Sequence, residues 1–373
     1  MRRTNGLARV LLPSVLVAGM LGTVTPAATA SAGPKPAEPA ACTWKPAILP
    51  MPAGALAGEV DAADGSGGYA GTISYGANSA KGGRAVLWKN GRFTDYGNLA
   101  DPAYRKWVTV VGVNRSGTVV GSVDREGDGF PSAVRSSNGR IKRLPELPGA
   151  FASTAEGVND RGDIIGAMTD TEDVAKWYPV IWPADKPGTV QKLTGLPDAS
   201  VVATGIDEDG TVLVDVEHEV GEELYLWKGG TARKLAAPDN AQAYIPRGIA
   251  NGRVIAEVTS VGNVTRSVLW DRDGQPRAVE RGADIRDINR DGQLVGRTDD
   301  PSRQEFGVWQ GTALAATLHR TDESGLELTV SSDDGTIAGR SWRIPGGHDE
   351  PTVWTCSGVL STGQDTDGGT AQE

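Results

Sequence analysis

Val113-Asn114-Arg115-Ser116-Gly117-Thr118-Val119-Val120-Gly121 is the stretch whose reading decides the fold. A β-branched residue leads into Asn, two polar residues and Gly, and a short apolar run follows. The Asn side chain can bond the backbone two residues on, and Gly takes the positive-φ position that follows a type I turn. The apolar flanks then pair as the two strands of a hairpin. The pattern returns at Val158-Asn159 to Gly166, Ile206-Asp207 to Val214, Ile249-Ala250 to Ala256 and Ile288-Asn289 to Gly296. Looser copies run from Val60 to Gly71 and from Ser331 to Gly339.

The second half of each unit is an apolar strand ending in Trp, a Gly turn and another strand. The tryptophans are Trp88, Trp182, Trp227, Trp270, Trp309 and Trp354, with Ser136 at the matching place in the second unit. Successive spacings of 39 to 48 residues, about four short strands each, are those of propeller blades. Parallel β-helix coils are shorter, and tandem sandwich domains are about twice as long. The chain therefore reads as all-β, a seven-bladed β-propeller, with six or eight blades if a looser terminal unit is misread. A Trp recurring at one strand position is expected to pack between neighbouring blades.

The last unit lacks a fourth strand of its own. Cys42-Thr43-Trp44-Lys45-Pro46-Ala47-Ile48-Leu49-Pro50 supplies one, ending as Leu144-Pro145 and Leu196-Pro197 do. An N-terminal strand completing the C-terminal blade removes two open sheet edges. The two cysteines, Cys42 and Cys356, fall at the two ends of this pairing, which predicts a disulfide between them.

Arg2, Arg3 and Arg9 precede an apolar stretch from Val10 to about Val24 and then small residues. That is the layout of a secretory signal peptide, with cleavage near Ala30 or Ala32. The domain reading is a signal over 1–32, a Pro/Ala-rich arm over 33–41, the propeller over 42–356 and a disordered tail over 357–373. A secreted, extracellular monomer with no membrane span is expected.

The units resemble the HAF repeats of secreted bacterial proteins. The likeness rests on the Gly-Val-Asn hairpins (Gly112 to Gly121; Gly157 to Gly166), on Ala85 to Gly91 and on Leu-Pro endings such as Leu144-Pro145. It covers roughly Val60 to Trp354. The His-Ala-Phe triplet that names the family is absent, its place held by Arg84-Ala85-Val86, Ser132-Ala133-Val134 and Ser267-Val268-Leu269. The resemblance implies a propeller and an extracellular address, and no reaction.

With 37 basic and 47 acidic side chains the net charge is −10, and loss of the signal arginines makes it more negative. A chain of this sign repels phosphate backbones, so nucleic acid is not an expected partner. The three histidines, His218, His319 and His348, lie in loops or near strand ends with no nucleophile beside them. Asp-rich turns such as Asp207-Glu208-Asp209-Gly210 fall short of a calcium ligand set. Ser331 to Thr336 is similar to a sialidase Asp-box but aligns with the first hairpin of its unit. No catalytic residue, metal site or cofactor is assigned. Binding is the leading function, with carbohydrate or an extracellular protein as ligand. Aromatics outside the repeating Trp position, Tyr104, Trp107, Trp177, Tyr178 and Trp342, are the candidate ligand-binding residues. The alternatives are a propeller hydrolase or lyase acting on extracellular polysaccharide, which needs a carboxylate pair meeting in space, and a passive scaffold.

Overall fold

The computed structural model describes residues 42–357, apart from 77, 78, 80, 172 and 301–304. The expected signal, the arm and the tail beyond Ser357 lie outside the described residues.

Alternating apolar runs and Gly turns yield 28 strands and, among the described residues, no helix. The N-terminal strand is β1 (Thr43–Ile48). Blade 1 is β2 (Ala57–Ala63), β3 (Tyr69–Ser74), β4 (Gly83–Lys89) and β5 (Arg92–Gly97). Blade 2 is β6 (Thr109–Val113), β7 (Val119–Asp124), β8 (Pro131–Ser137) and β9 (Arg140–Arg143). Blade 3 is β10 (Ala150–Val158), β11 (Ile164–Asp170), β12 (Tyr178–Trp182) and β13 (Gln191–Lys192). Blade 4 is β14 (Ser200–Ile206), β15 (Val212–Glu217), β16 (Glu222–Lys228) and β17 (Thr231–Lys234). Blade 5 is β18 (Ala241–Ala250), β19 (Arg253–Ser260), β20 (Val264–Trp270) and β21 (Pro276–Ala278). Blade 6 is β22 (Gly282–Ile288), β23 (Gln293–Thr298), β24 (Glu305–Gln310) and β25 (Ala313–His319). Blade 7 is β26 (Ser324–Ser331), β27 (Ile337–Arg343) and β28 (Glu350–Ser357), completed by β1. The protein is a seven-bladed β-propeller.

The clasp is as read from the sequence. β1 pairs antiparallel with β28 from Thr43↔Ser357 to Ile48↔Thr352, and Cys42 is disulfide-bonded to Cys356 with Cα atoms 5.5 Å apart. Ser357 is the last residue of β28 rather than the first of the tail.

Each blade is an antiparallel meander, so its first and third turns project on one side of the ring. Its second turn and the link to the next blade project on the other. These sides are the turn face and the link face below.

Two repeated devices hold neighbouring blades together. The first is the recurring Trp. Trp88, Trp182, Trp270, Trp309 and Trp354 are buried, while Trp227 is half-buried. Five of the indoles donate to a carbonyl in the segment entering their blade: Trp88 to Pro50, Trp182 to Pro145, Trp227 to Thr194, Trp270 to Ala236 and Trp309 to Glu280, at 2.6–2.8 Å. Where blade 2 carries Ser136, its hydroxyl instead accepts from Val119 N at 2.9 Å.

The second device is the hairpin turn. Asn114 Oδ1 accepts from Thr118 N at 3.0 Å, closing its own turn. Its Nδ2 donates to Asn159 O on the next blade at 3.0 Å. The motif repeats from Asn251 Nδ2 to Arg290 O (3.1 Å) and from Asn289 Nδ2 to Ser332 O (2.8 Å). Asp207 plays the reverse part, accepting from Gly252 N at 2.7 Å. These contacts tie the turn of blade 2 to that of blade 3, and the turns of blades 4 to 7 to one another.

Candidate functional site

In every blade the pairing of the two inner strands slips by one residue at the same place. The skipped residues are Asp61, Val111, Glu156, Thr204, Arg247, Arg286 and Thr329. Such a bulge frees one side chain from the ladder and re-aims it. All seven line the central channel, whose volume is about 360 Å³. Each stands three positions before the turn residue of its repeat. The Gly that ends the hairpin motif belongs to the same device: a Cβ on Gly121 or Gly166 would lie 1.9 Å from the carbonyl oxygen of Thr109 or Thr154, just before the bulge.

The channel wall is charged and carries no aromatic side chain. Thr72 Oγ1 donates to Asp61 Oδ2 at 3.1 Å. Burial, then the Glu59 charge, pushes the Asp61 carboxyl well above its usual range. Burial raises Glu156 likewise. Asp287, beside the bulge of blade 6, accepts from Ser331 N at 2.9 Å and Ile288 N at 2.8 Å. Burial outweighs both bonds and lifts it to about 7. Thr329 Oγ1 donates to Val60 O at 2.7 Å across the junction that closes the ring.

The turn-face mouth is barred. Arg290, on the turn of blade 6, reaches Asp160 of blade 3 (3.3 Å), Glu208 of blade 4 (2.8 Å) and Asp333 of blade 7 (3.0 Å). Blades 6 and 3 lie opposite in a ring of seven, so the guanidinium crosses the axis. Burial opposes its charge, but Asp333 and Glu208 more than offset that and hold its pKa above the ordinary value.

Toward the link face a second ionic web starts from the channel residues Arg247 and Arg286 and extends into the blades. Arg247 pairs with Glu257 and, at 3.2 Å, with Asp284. Arg286 meets Asp284 at 2.6 Å. Arg340 binds Glu327 at 2.6 Å, Asp349 at 3.0 Å and Glu59 at 3.4 Å. The web spans blades 5, 6, 7 and 1.

The aromatic candidates do not assemble. Tyr104 is 7% exposed and belongs to the core shared by blades 1 and 2. Its hydroxyl accepts from Ser132 Oγ at 3.4 Å, and Arg143 lies over its ring. It is therefore withdrawn from the surface, because an isolated bridge to Arg125 draws its backbone onto the sheet. Trp107 is 42% exposed. Its indole lies on Gly83, where a Cβ would come within 2.5 Å. It lines a cavity of about 190 Å³ with Glu59, Arg340 and Asp349. Trp177 and Tyr178 are half-buried at the start of β12. Tyr178 lines a different cavity, of about 460 Å³. Trp342 is half-buried against Gly325 in blade 7. Sequence reasoning passed over the bulge residues, although their signal was present. They are the variable position in an otherwise constant motif, and the hydrophobic pattern gives no warning that a strand bulges there.

The remaining surface is asymmetric. The large apolar side chains that are exposed among the described residues are Ile48, Leu56, Trp107, Val174, Val220, Ile245, Val261 and Val264. Leu56 and Trp107 lie on links, Val174, Val220 and Val261 on second turns, and Ile48 and Val264 at strand ends on that same side. Ile245 is in the first half of its inner strand. Seven of the eight therefore belong to the link face, and Ile245 lies within an inner strand.

No protein-family model and no curated protein matches the chain. Solved structures similar to it include one from a study of two prolyl endopeptidases (TM-score 0.54, 12% identity, 82% of this chain and 51% of that one). TolB from Acinetobacter baumannii gives a TM-score of 0.48 at 10% identity over 78% of this chain and 67% of that one. YCF48 bound to D1 peptide gives 0.45 at 12% identity over 86% and 97%. The chain spans about half the length of the prolyl endopeptidase. At such identities the likeness is one of fold. Fold and site together define a disulfide-clasped propeller with a polar, bulge-lined channel and one apolar face.

Proposed function

We propose that this protein is a secreted binding module that docks a protein partner on its link face. The observation that carries this reading is that, among the described residues, seven of the eight exposed large apolar side chains lie on that face. Apolar anchors rimmed by charge are the anatomy of a protein interface. Seven of the eight are aliphatic. Sugars stack on aromatic rings, so a protein partner fits this surface better than a carbohydrate. Kinship with HAF-repeat proteins and an extracellular address belong to the same proposal. The Asn-Gly turns and Leu-Pro endings support the first. The basic-apolar-small N-terminus supports the second, and the disulfide is consistent with it.

The test is a binding screen of protein purified from culture fluid against extracellular proteins and glycans, with Leu56→Ser/Val261→Ser as the link-face variant. The expected result is a protein ligand whose binding the variant weakens about tenfold or more, as loss of buried anchors does. Glycan binding abolished by Trp107→Ala would replace the proposal with a lectin. N-terminal sequencing of the secreted chain should begin at Ser31 or Gly33. A second reading rests on the channel carboxylates Asp61, Glu156 and Asp287, whose raised pKa values suit general acids. Release of sugar products in the same screen, lost in Asp287→Asn, would favour a hydrolase or lyase.

A further inference from the structure

The link face contains one place where the chain sets negative charges against each other without a cation between them. In blade 4, Glu217 of β15 stands directly opposite Glu222 of β16. Asp215, two residues back, shares their side of the sheet, since strand side chains alternate. Like charges facing across a strand pair are destabilising. The basic side chains nearby go elsewhere: Lys234 reaches Glu223 at 2.5 Å, and the His218 imidazole lies 3.4 Å from the same carboxylate. Among the described residues no cation pairs with Asp215, Glu217, Glu219 or Glu222. One oxygen of Asp215 is buried without a hydrogen-bond partner. Burial, and after it the charges of Glu222 and Glu217, push the Asp215 carboxyl up to about 7.

This side of the sheet faces blade 5, where a groove of about 400 Å³ opens on the link face. Leu224, Leu235, Ala241, Tyr244 and Trp270 form its apolar lining, and Glu222 and the Glu223–Lys234 ion pair its charged lining. Glu222 is fixed in the wall by Tyr244 N, which donates to Oε2 at 2.6 Å. Val220 stands at the lip, 93% exposed, on a loop that runs Glu217-His218-Glu219-Val220-Gly221-Glu222-Glu223. Neither feature benefits the isolated fold. A 93% exposed valine gains nothing from burial, and an uncompensated carboxylate trio costs stability. Both become favourable when a cation with an apolar neighbour fills the groove.

We propose that the groove between blades 4 and 5 receives a basic segment of the protein partner. A lysine or arginine side chain enters beside Glu222 in the groove wall, on the side of the sheet that also carries Asp215 and Glu217, and an adjoining aliphatic side chain seats on Val220 and Tyr244. The proposal rests on the link face being the docking face, and adds the partner's chemistry. The sign agrees with the whole molecule, whose net charge of −10 steers basic partners toward it.

The experiment is fluorescence anisotropy with the secreted chain and a labelled peptide alternating arginine and leucine, against its glutamate-for-arginine counterpart. The parent should bind the arginine peptide and not the glutamate one. Glu217→Gln/Glu222→Gln should weaken binding about tenfold or more, as loss of a desolvated charge pair does, and Val220→Ala should weaken it a few-fold. Asp209→Asn, an acid on the turn face, should change it less than about twofold, because attraction to a distant exposed charge is screened. The glutamine variant should also melt at the same temperature as the parent or higher, which a purely structural role for these acids would not give. Equal binding of the two peptides, or equal weakening by groove and turn-face variants, would overturn the proposal as unspecific charge attraction. If the groove variants keep full binding while Leu56→Ser/Val261→Ser loses its protein ligand, the docking face stands and its basic occupant falls.

Discussion

Asp287 shows how one channel residue sets a property of the whole fold. Its carboxyl titrates at about 7 in the native protein against 3.8 ordinarily. The native state therefore holds the proton more tightly than the unfolded chain. That contribution to stability is complete below about pH 4 and is lost as pH rises through about 7. Urea unfolding of the parent and of Asp287→Asn, compared at pH 4.5 and pH 8, should show the parent losing on the order of 2 kcal/mol relative to the variant, the full linkage being reduced by channel solvent. Equal pH dependence in the two proteins would mean that the group ionises normally. Nothing in a string of letters marks Asp287 as different from Asp291 four residues on. Burial separates them: the first is buried at the channel and the second is exposed on a turn.

At the scale of the element, the hairpin turn is both a local and a long-range device. Its local part was legible, because Asn or Asp followed by Gly specifies the turn chemistry wherever it occurs. The long-range part was not: the spare amide hydrogens of Asn114, Asn251 and Asn289 reach the next blade's turn. Asn289 makes the most of this, accepting from Gln293 N and Asp291 N and donating to Ser332 O. Asn289→Ala should lower unfolding free energy by about 1–3 kcal/mol, since it strands buried backbone groups on two blades. Asn289→Asp should lose only the inter-blade bond and cost less. Denaturant midpoints of the two variants would decide whether the turn acts locally or as a link in the ring. The bulge is the opposite case. Seven sequence-variable residues align at one position, and only the slipped register turns them inward.

At the scale of the molecule, closure is the decisive event. β1 adds the fourth strand to blade 7, and the Cys42–Cys356 bond spans 314 residues of chain. In the chain-entropy picture a loop of that length contributes about 5 kcal/mol by restricting the unfolded state. Cys42→Ser/Cys356→Ser should therefore unfold at clearly lower denaturant while keeping the β-sheet circular dichroism of the parent. Unchanged stability would mean that pairing of β1 with β28 closes the ring by itself. Closure also creates the two faces, placing Arg290 across the channel mouth of one and the links and second turns, with most of the exposed aliphatic residues, on the other.

The sequence by itself determined the repeat, a propeller of six to eight blades with seven favoured, the strand that closes the last blade and the partners of the disulfide, and the structure settled the count at seven. These follow from local rules: turn residues, apolar periodicity, a recurring Trp and two cysteines at the ends of one pairing. Only the tertiary structure decided where the candidate site lies. The aromatic residues that looked available are scattered or buried, and neither the variable position of the repeat nor the acidic run Glu217 to Glu223 shows by itself that it faces a channel or a groove. The physical reason is that charge and exposure depend on neighbours brought together by ring closure. Asp61, Glu156 and Asp287 are far apart along the chain, and become one surface when seven strands converge on an axis.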